Sequence, residues 1–313
     1  MNQQNTPYFH ANGKLLLSGE YLVLIGAKAL AIPLNKGQSL SVHPSTNGFL
    51  SWEAMDPNGL WFRVIFDDQF NVIKSTDPEK ASGLQNILKV ANELNSNTSR
   101  RLSGKLVKTL LEFDPNWGWG SSSTLIANLA QWLEVDPYIL LELTFGGSGY
   151  DIACATSSRP LFYQRDKNQV KVSTCDFNPQ FKDQLYFIYS GKKQSSRNEI
   201  ARFDKSKNYT HEIKLITEIG ELMAFAQNIN DFGRLMNEHE KIISSIVHHI
   251  PIKNEHFSDF RGYTKTLGAW GGDFFMALSD EGSSYIKEYF AIKGLNTCFS
   301  FDEIALMNND TLN

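Results

Sequence analysis

The segment Gly118-Trp119-Gly120-Ser121-Ser122-Ser123 sets two glycines and three hydroxyls ahead of apolar residues at 125, 126, 129, 130 and 133. Glycine tolerates positive φ and lets backbone approach a ligand closely, so successive N–H groups can point into one concavity. A helix starting there adds unpaired amides and the positive end of its dipole, a combination that suits phosphate. A serine hydroxyl can also ligate a magnesium ion that bridges phosphates. The plain alternative is an N-capped helix after a tight turn. Neither a GxxxxGK[ST] loop nor a GxGxxG turn is present, which excludes the common P-loop and dinucleotide signatures.

A second candidate is Asp151, which follows Gly146-Gly147-Ser148-Gly149-Tyr150. A carboxylate beside such a bend can take the proton of an attacking hydroxyl in phosphoryl transfer. It can equally cap a helix starting at Ile152. Gly268-Ala269-Trp270-Gly271-Gly272-Asp273 is a further glycine turn, with or without a ligand. Lys192, Lys193 and Arg197 put three cations on one polar loop, either an anion site or a solvated charge run. His239, His248 and His249 lack HExxH-type spacing and read as helix-surface or core histidines.

These groups need elements to hold them. Leu15–Leu17, Tyr21–Ile25, Ala29–Leu34 and Ser39–His43 read as strands, with 35–37 as a turn between the last two. Residues 49–73 alternate around Asp56-Pro57-Asn58-Gly59 and read as a hairpin. Apolar residues at 84, 87, 88, 91 and 94 have helical spacing. A strand over 102–113 then feeds the 118–123 turn and its helix, and Asp136-Pro137 starts another helix. The second half reads as a strand at 184–189, helices between 209 and 249, the 268–273 turn, a strand at 274–278, a helix, and a strand at 297–301. The break after Asn178-Pro179 suggests two domains, 1–183 and 184–313.

Composition narrows the class. At 313 residues the chain exceeds the size at which single cores stop growing, so two domains are expected. Thirty Lys plus Arg against 34 Asp plus Glu argue against a generally basic nucleic-acid protein. Three scattered cysteines, Cys154, Cys175 and Cys298, exclude a disulfide framework and read as reduced, buried thiols. The stretch 21–34 is interrupted by Gly26, Lys28 and Pro33 and is too short to span a bilayer. No signal peptide is visible at the start, so the expected location is the cytoplasm.

The order of these motifs resembles the GHMP small-molecule kinases, the group that includes galactokinase, homoserine kinase, mevalonate kinase and phosphomevalonate kinase. Gly13-Lys14-Leu15-Leu16-Leu17-Ser18-Gly19-Glu20-Tyr21 is similar to the first family motif. Pro115 to Ser122 is similar to the second, P-x-x-G-L-G-S-S, with Trp119 in place of leucine. Gly268 to Asp273 is similar to the third, with Trp270 in place of glycine. Ser148-Gly149-Tyr150-Asp151 is similar to the family's SG-x-D segment before an alanine-containing helix.

The resemblance implies an α+β fold with an N-terminal domain like that of ribosomal protein S5 domain 2 and a C-terminal ferredoxin-like domain. It implies ATP and Mg²⁺ as cofactors, with Gly118, Gly120, Ser121, Ser122, Ser123, Gly271 and Gly272 at the nucleotide. Ser122 and Glu142 would hold the metal. Asp151 and Lys14 would be the catalytic pair, lying near one another. Glu20, Ser148, Lys192, Lys193 and Arg197 would bind the acceptor. The partners are then ATP and a small molecule, with no nucleic acid and no membrane; the oligomeric state, a homodimer included, stays open. Tyr21 after Glu20 is more like the phosphomevalonate kinase form of the first motif, and three cations suit a phosphorylated acceptor. Mevalonate kinase is the runner-up, followed by homoserine and sugar kinases. A silent nucleotide-binding protein of the same fold, and a binding protein whose glycine turns are only turns, are the non-enzyme alternatives.

Overall fold

The computed structural model describes residues 6–166, 169–194 and 196–307, with the side chains of 196–198 outside the described set. In chain order the elements begin with β1 (Tyr8–Leu16), β2 (Ala29–Pro44), β3 (Leu50–Asp56), β4 (Gly59–Phe66) and β5 (Val72–Ser75). Next come α1 (Pro78–Leu94), α2 (Thr98–Leu102), β6 (Lys105–Leu111), α3 (Ser121–Leu133), α4 (Pro137–Thr144) and α5 (Tyr150–Thr156). β7 (Leu161–Asp166), β8 (Gln169–Thr174), β9 (Leu185–Tyr189), α6 (Ser196–Arg202), α7 (Thr210–Phe225) and α8 (Ile229–Val247) follow. The chain closes with α9 (Ile252–His256), β10 (Tyr263–Thr266), β11 (Phe274–Leu278), α10 (Ser283–Ile292), β12 (Cys298–Ser300) and α11 (Phe301–Ile304). The fold is α+β.

Two compact units divide the chain in an interleaved way. The first takes residues up to Gly13, Lys36–Pro115 and Trp119–Thr156; the second takes Lys14–Asn35, Asn116–Gly118 and the chain from Ser157 onward.

In the first unit β5, β4, β3, β6 and the 36–44 part of β2 lie side by side in that order. β3 and β6 run parallel and the other pairs antiparallel. Trp52, Val64, Phe66 and Val107 turn one face of these strands onto α1, α3 and α4, through Leu84, Leu88, Ile126, Leu129 and Leu140. Burial of this apolar area, at about 25 cal/mol per Å², dominates the unit's stability. Asp77 caps α1 and Asp136 caps α4 through side-chain bonds to first-turn amides.

In the second unit the 29–35 part of β2 pairs with β7, which pairs with β8. A separate antiparallel sheet has the order β10-β11-β9-β12. Read in chain order, its strands form strand–helices–strand–strand–helix–strand with β9 and β11 central, which is the ferredoxin-like split βαβ arrangement. Tyr186, Ile188, Phe275 and Ala277 face α10, whose Ile286 and Phe290 complete that core. Alternation sends Phe274 to the opposite face, where it meets Trp117 and Tyr189 edge-on or tilted.

Two readings of local structure are corrected. Residues 21–25 are not a strand: Leu22–Ile25 form a single 3-10 turn, entered through Tyr21 at φ 60° and left through Gly26 at φ 108°. Left-handed residues at both ends break an extended path, which an apolar run cannot reveal. Residues 35–37 are not a turn, because β2 runs through them without interruption. Gly37 is required there by crowding: a Cβ would meet the Ala11 carbonyl oxygen at 2.1 Å.

Candidate functional site

In the second unit three separated segments converge. The Lys14 ammonium, on β1, donates to the Gly118 carbonyl oxygen at 2.9 Å. Gly118 has φ 68°, and a Cβ on it would lie 2.3 Å from Asp273 Oδ2. Asp273, itself left-handed at φ 50°, accepts from the Gln194 backbone N–H at 3.1 Å through Oδ1. Its backbone N–H donates to the Lys192 carbonyl, and its own carbonyl accepts from the Ser190 N–H. Burial raises the Asp273 pKa, and the Gln194 amide, Lys14 and Lys193 partly offset that. The start of the phosphate-type turn, the third glycine turn and the basic loop are therefore one connected structure. Side-chain geometry of Arg197 lies outside the described residues.

Behind the third turn, on the Phe275 side of the sheet, is a cavity of about 310 Å³. Lys192, Trp270, Gly271, Gly272, His256 and Lys293 are among its walls. This volume is at the lower end for small-molecule pockets. Lys192, Gly271 and Gly272, read from sequence as ligand-binding, thus line the same cavity. Trp270 stacks on His249 and donates its backbone N–H to the Tyr21 hydroxyl.

Glu20 points inward. Its Oε1 accepts from Lys265 Nζ at 2.5 Å and its Oε2 lies 3.1 Å from His239 Nε2, with all three side chains no more than 3% exposed. Burial would raise the Glu20 pKa, but Lys265 and then His239 outweigh it and bring it to about 2. Burial and the Lys265 charge hold His239 neutral, at about 4. Glu240, next along α8, accepts from the Thr266 N–H and hydroxyl, and burial raises it to about 7 against the pull of Lys265. The first motif is thereby tied to the strand that leads into the third turn. Sequence reading missed this cluster. Its signal was a histidine at position 239, on the same helical face as the buried Phe232, Leu235, Met236 and Ile243.

In the first unit, α3 begins after Gly120 at φ 93° with no side-chain cap. Its first amides are left for another acceptor. Ser123 donates its hydroxyl to the Gly120 carbonyl and Thr124 donates to Gln38 Oε1, whereas the Ser122 side chain is exposed. Trp119 is fully buried, edge-on to Phe113, so its ring belongs to the core and not to a ligand surface. Asp151 does not cap its helix: α5 starts at Tyr150, and Asp151 sits half-exposed in the first turn. Ser148 is buried just before it, and Glu142 lies exposed on α4. Among the described residues no cluster of three or more His, Cys, Asp or Glu side chains could hold a metal. A magnesium ion held by one hydroxyl or carboxylate plus phosphates and water remains compatible with this donor set.

No family model and no curated sequence matches the chain. Solved structures do. Mevalonate kinase from L. major, in complex with R-mevalonate, is 16% identical with TM-score 0.66, covering 97% of each chain. Streptococcus pneumoniae phosphomevalonate kinase, in complex with phosphomevalonate and AMPPNP, is 17% identical with TM-score 0.68, covering 94% of this chain and 99% of that one. Lactococcus lactis galactokinase, complexed with galactose, is 12% identical with TM-score 0.69, covering 98% and 94%. The chain has the GHMP kinase fold.

On this GHMP fold the uncapped α3, the Lys14–Gly118 bond and the third turn occupy the three motif positions read from sequence. Asp273 and Gln194, which join the third turn to the basic loop, were not assigned roles by sequence reading. The unusual feature there is an aspartate following two glycines, at a position that needs positive φ. Among the described residues no helix is long and apolar enough to cross a membrane.

Proposed function

We propose that this GHMP-fold chain is a cytoplasmic ATP-dependent kinase that phosphorylates a small, already phosphorylated alcohol, phosphomevalonate being the first choice of acceptor. The observation that carries this reading is α3, a 13-residue helix with no side-chain cap that opens behind two left-handed glycines. Free amides, a helix dipole and close backbone approach are the elements of a triphosphate cradle. In this reading the 118–123 turn is assigned to the phosphates, and Gly271 and Gly272 are assigned to the nucleotide. Ser122, with its exposed hydroxyl, and Glu142 hold Mg²⁺, whose chemistry is to neutralise charge on the transferring phosphates.

Asp151 orients the acceptor hydroxyl and takes its proton, while Lys14 draws off the charge that develops on the phosphoryl group. Ser148, Glu20, Lys192, Lys193 and Arg197 are assigned to the acceptor. Glu20 serves it indirectly, as an inward-facing brace. Domains 1–183 and 184–313 are the family-type halves of this reading. Fully or partly exposed lysines beside a cavity favour a phosphorylated acceptor over a neutral sugar. The bound ligands of the structural neighbours, R-mevalonate, phosphomevalonate and galactose, supply the comparison panel.

The test is coupled ADP release with mevalonate, phosphomevalonate, homoserine and galactose as acceptors. Phosphomevalonate should give the highest kcat/KM, and Asp151→Asn should lower kcat by about 10²–10⁴-fold with ATP affinity retained. Acceptor-independent ATPase alone, or no thermal stabilisation by Mg·ATP, would sink the kinase reading. Mevalonate as the preferred acceptor would move the assignment one branch away.

A further inference from the structure

We infer that Asp273 is a positioning residue, which pins the basic loop at 190–194 to the start of the phosphate-type turn. The inference rests on the proposed kinase function for its catalytic consequence but on geometry alone for the pinning itself. Asp273 is the residue just beyond the β9–β11 ladder, where Phe274 pairs with Tyr189. Two backbone bonds extend that ladder, from Ser190 N–H to the Asp273 carbonyl and from Asp273 N–H to the Lys192 carbonyl. From there the carboxylate reaches on. Oδ1 takes the Gln194 N–H at 3.1 Å, and Oδ2 sits in the space that the missing Cβ of Gly118 leaves open.

The surrounding sequence is fitted to this arrangement. A Cβ on Gly272 would meet Gln194 Cβ at 2.4 Å, so the third turn and the basic loop are in direct contact. Gln194 closes the loop from the other side by donating its amide N–H to the Trp270 carbonyl at 2.9 Å. Gly118 carries Lys14 on its carbonyl, so displacing Gly118 also displaces the ammonium. Outside glycine a left-handed residue is uncommon, and Asn and Asp are among the side-chain-bearing residues that tolerate this region best, as Asp273 does at φ 50°. At this position aspartate supplies what a glycine would lack, a carboxylate that reaches the Gln194 N–H. Burial raises the pKa of that carboxylate, and Lys14 and Lys193 are among the groups that oppose the rise.

The role is therefore distinct from proton transfer: Asp273 acts through Gln194, Gly118 and the backbone of Ser190 and Lys192. It sets where Lys14 and the basic loop stand when acceptor and nucleotide arrive, and a loop displaced by about 1 Å can cost transfer as much as 10²-fold.

Limited trypsin digestion reads the pinning directly, at Lys192 and Lys193, with cleavage sites assigned by mass spectrometry. Loss of a charge-assisted bond should raise the open fraction of the loop, and with it the cleavage rate, by about tenfold or more in Asp273→Gly. Glycine is chosen because it keeps φ 50° without strain, and Asp273→Ala serves as the second variant. Asp273→Asn keeps an oxygen for the Gln194 amide and tolerates the conformation, so its cleavage should stay within about threefold of wild type. In parallel, Asp273→Gly should raise the acceptor KM and lower kcat together, with Asp273→Asn recovering most of both. Unchanged cleavage after Lys192 and Lys193 in both Asp273→Gly and Asp273→Ala would overturn the inference, whatever the kinetics. Faster cleavage in a protein that transfers no phosphoryl group would uphold the pinning and count against the kinase reading instead.

Discussion

Replacing Lys265 with methionine isolates the buried ion pair. Lys265 Nζ lies 2.5 Å from Glu20 Oε1 and also donates to the Thr266 carbonyl at 2.9 Å. Methionine fills similar volume and removes the charge, leaving a carboxylate with no cation beside it at 3% exposure. The neighbours now hold Glu20 at about 2, against an ordinary 4.5, a shift worth about 3 kcal/mol at 1.36 kcal/mol per unit. That falls at the lower edge of the roughly 3–5 kcal/mol seen when one partner of a buried pair is deleted. Urea unfolding at pH 7 should therefore show Lys265→Met about 3 kcal/mol less stable than wild type. The double variant Glu20→Gln/Lys265→Met, which leaves no buried charge at either position, should recover at least half of the loss. A loss in Lys265→Met below about 1 kcal/mol, or a double variant no better than the single, would refute this account of the pair.

Other expectations follow from the same geometry. His239 and Glu240 oppose one another in pH. The neutral His239, lowered to about 4, contributes stability that is present above 6.5 and lost as pH falls toward 4. Glu240, raised to about 7, contributes stability that is present below 4.5 and lost as pH rises through 7. Wild type should be nearly flat between pH 4.5 and 6.5, and Glu240→Gln should gain stability with rising pH in equilibrium melts over that window. Gly37→Ala should cost about 2 kcal/mol or more, since its Cβ would sit 2.1 Å from the Ala11 carbonyl oxygen; thermal unfolding measures it. Ser122→Ala should weaken Mg·ATP binding in titration calorimetry while leaving Mg-free nucleotide binding intact. The pair Lys193→Ala/Arg197→Ala should raise the acceptor KM by about 10- to 150-fold, with the effect shrinking as salt rises.

Legibility differed between motif and surroundings. The helix after the 118–123 turn, the 50–66 hairpin and the helix after Asp136-Pro137 were readable, because glycine, Asp-Pro and periodic apolar residues act locally. Residues 21–25 and 35–37 were misread for one reason. Both are held by distant partners: Gly37 lies against Ala11, and Tyr21 at the bend accepts the Trp270 backbone N–H on its hydroxyl. The buried cluster was invisible for the same reason. Lys265 in a four-residue strand looks like a surface lysine until Glu20 is placed beside it. Asp273 was singled out as part of a motif, yet nothing in sequence could show that its carboxylate fills the gap at Gly118.

Glu20 and Lys265 are 245 residues apart. At about 5–20 residues per second of synthesis, the glutamate emerges on the order of 10–50 s before its lysine exists. For the first part of that interval the segment Lys14–Asn35 belongs to a unit whose remaining residues are mostly unmade, since all but 116–118 of them lie from Ser157 onward. Leu16, Leu17, Leu22 and Val23, all buried at the end, are exposed in the meantime beside a hydrated carboxylate. The charge that must eventually be neutralised inside the protein thus also keeps an early apolar stretch soluble while the chain is growing, and a Glu20→Leu change would remove that protection before it altered anything in the finished fold.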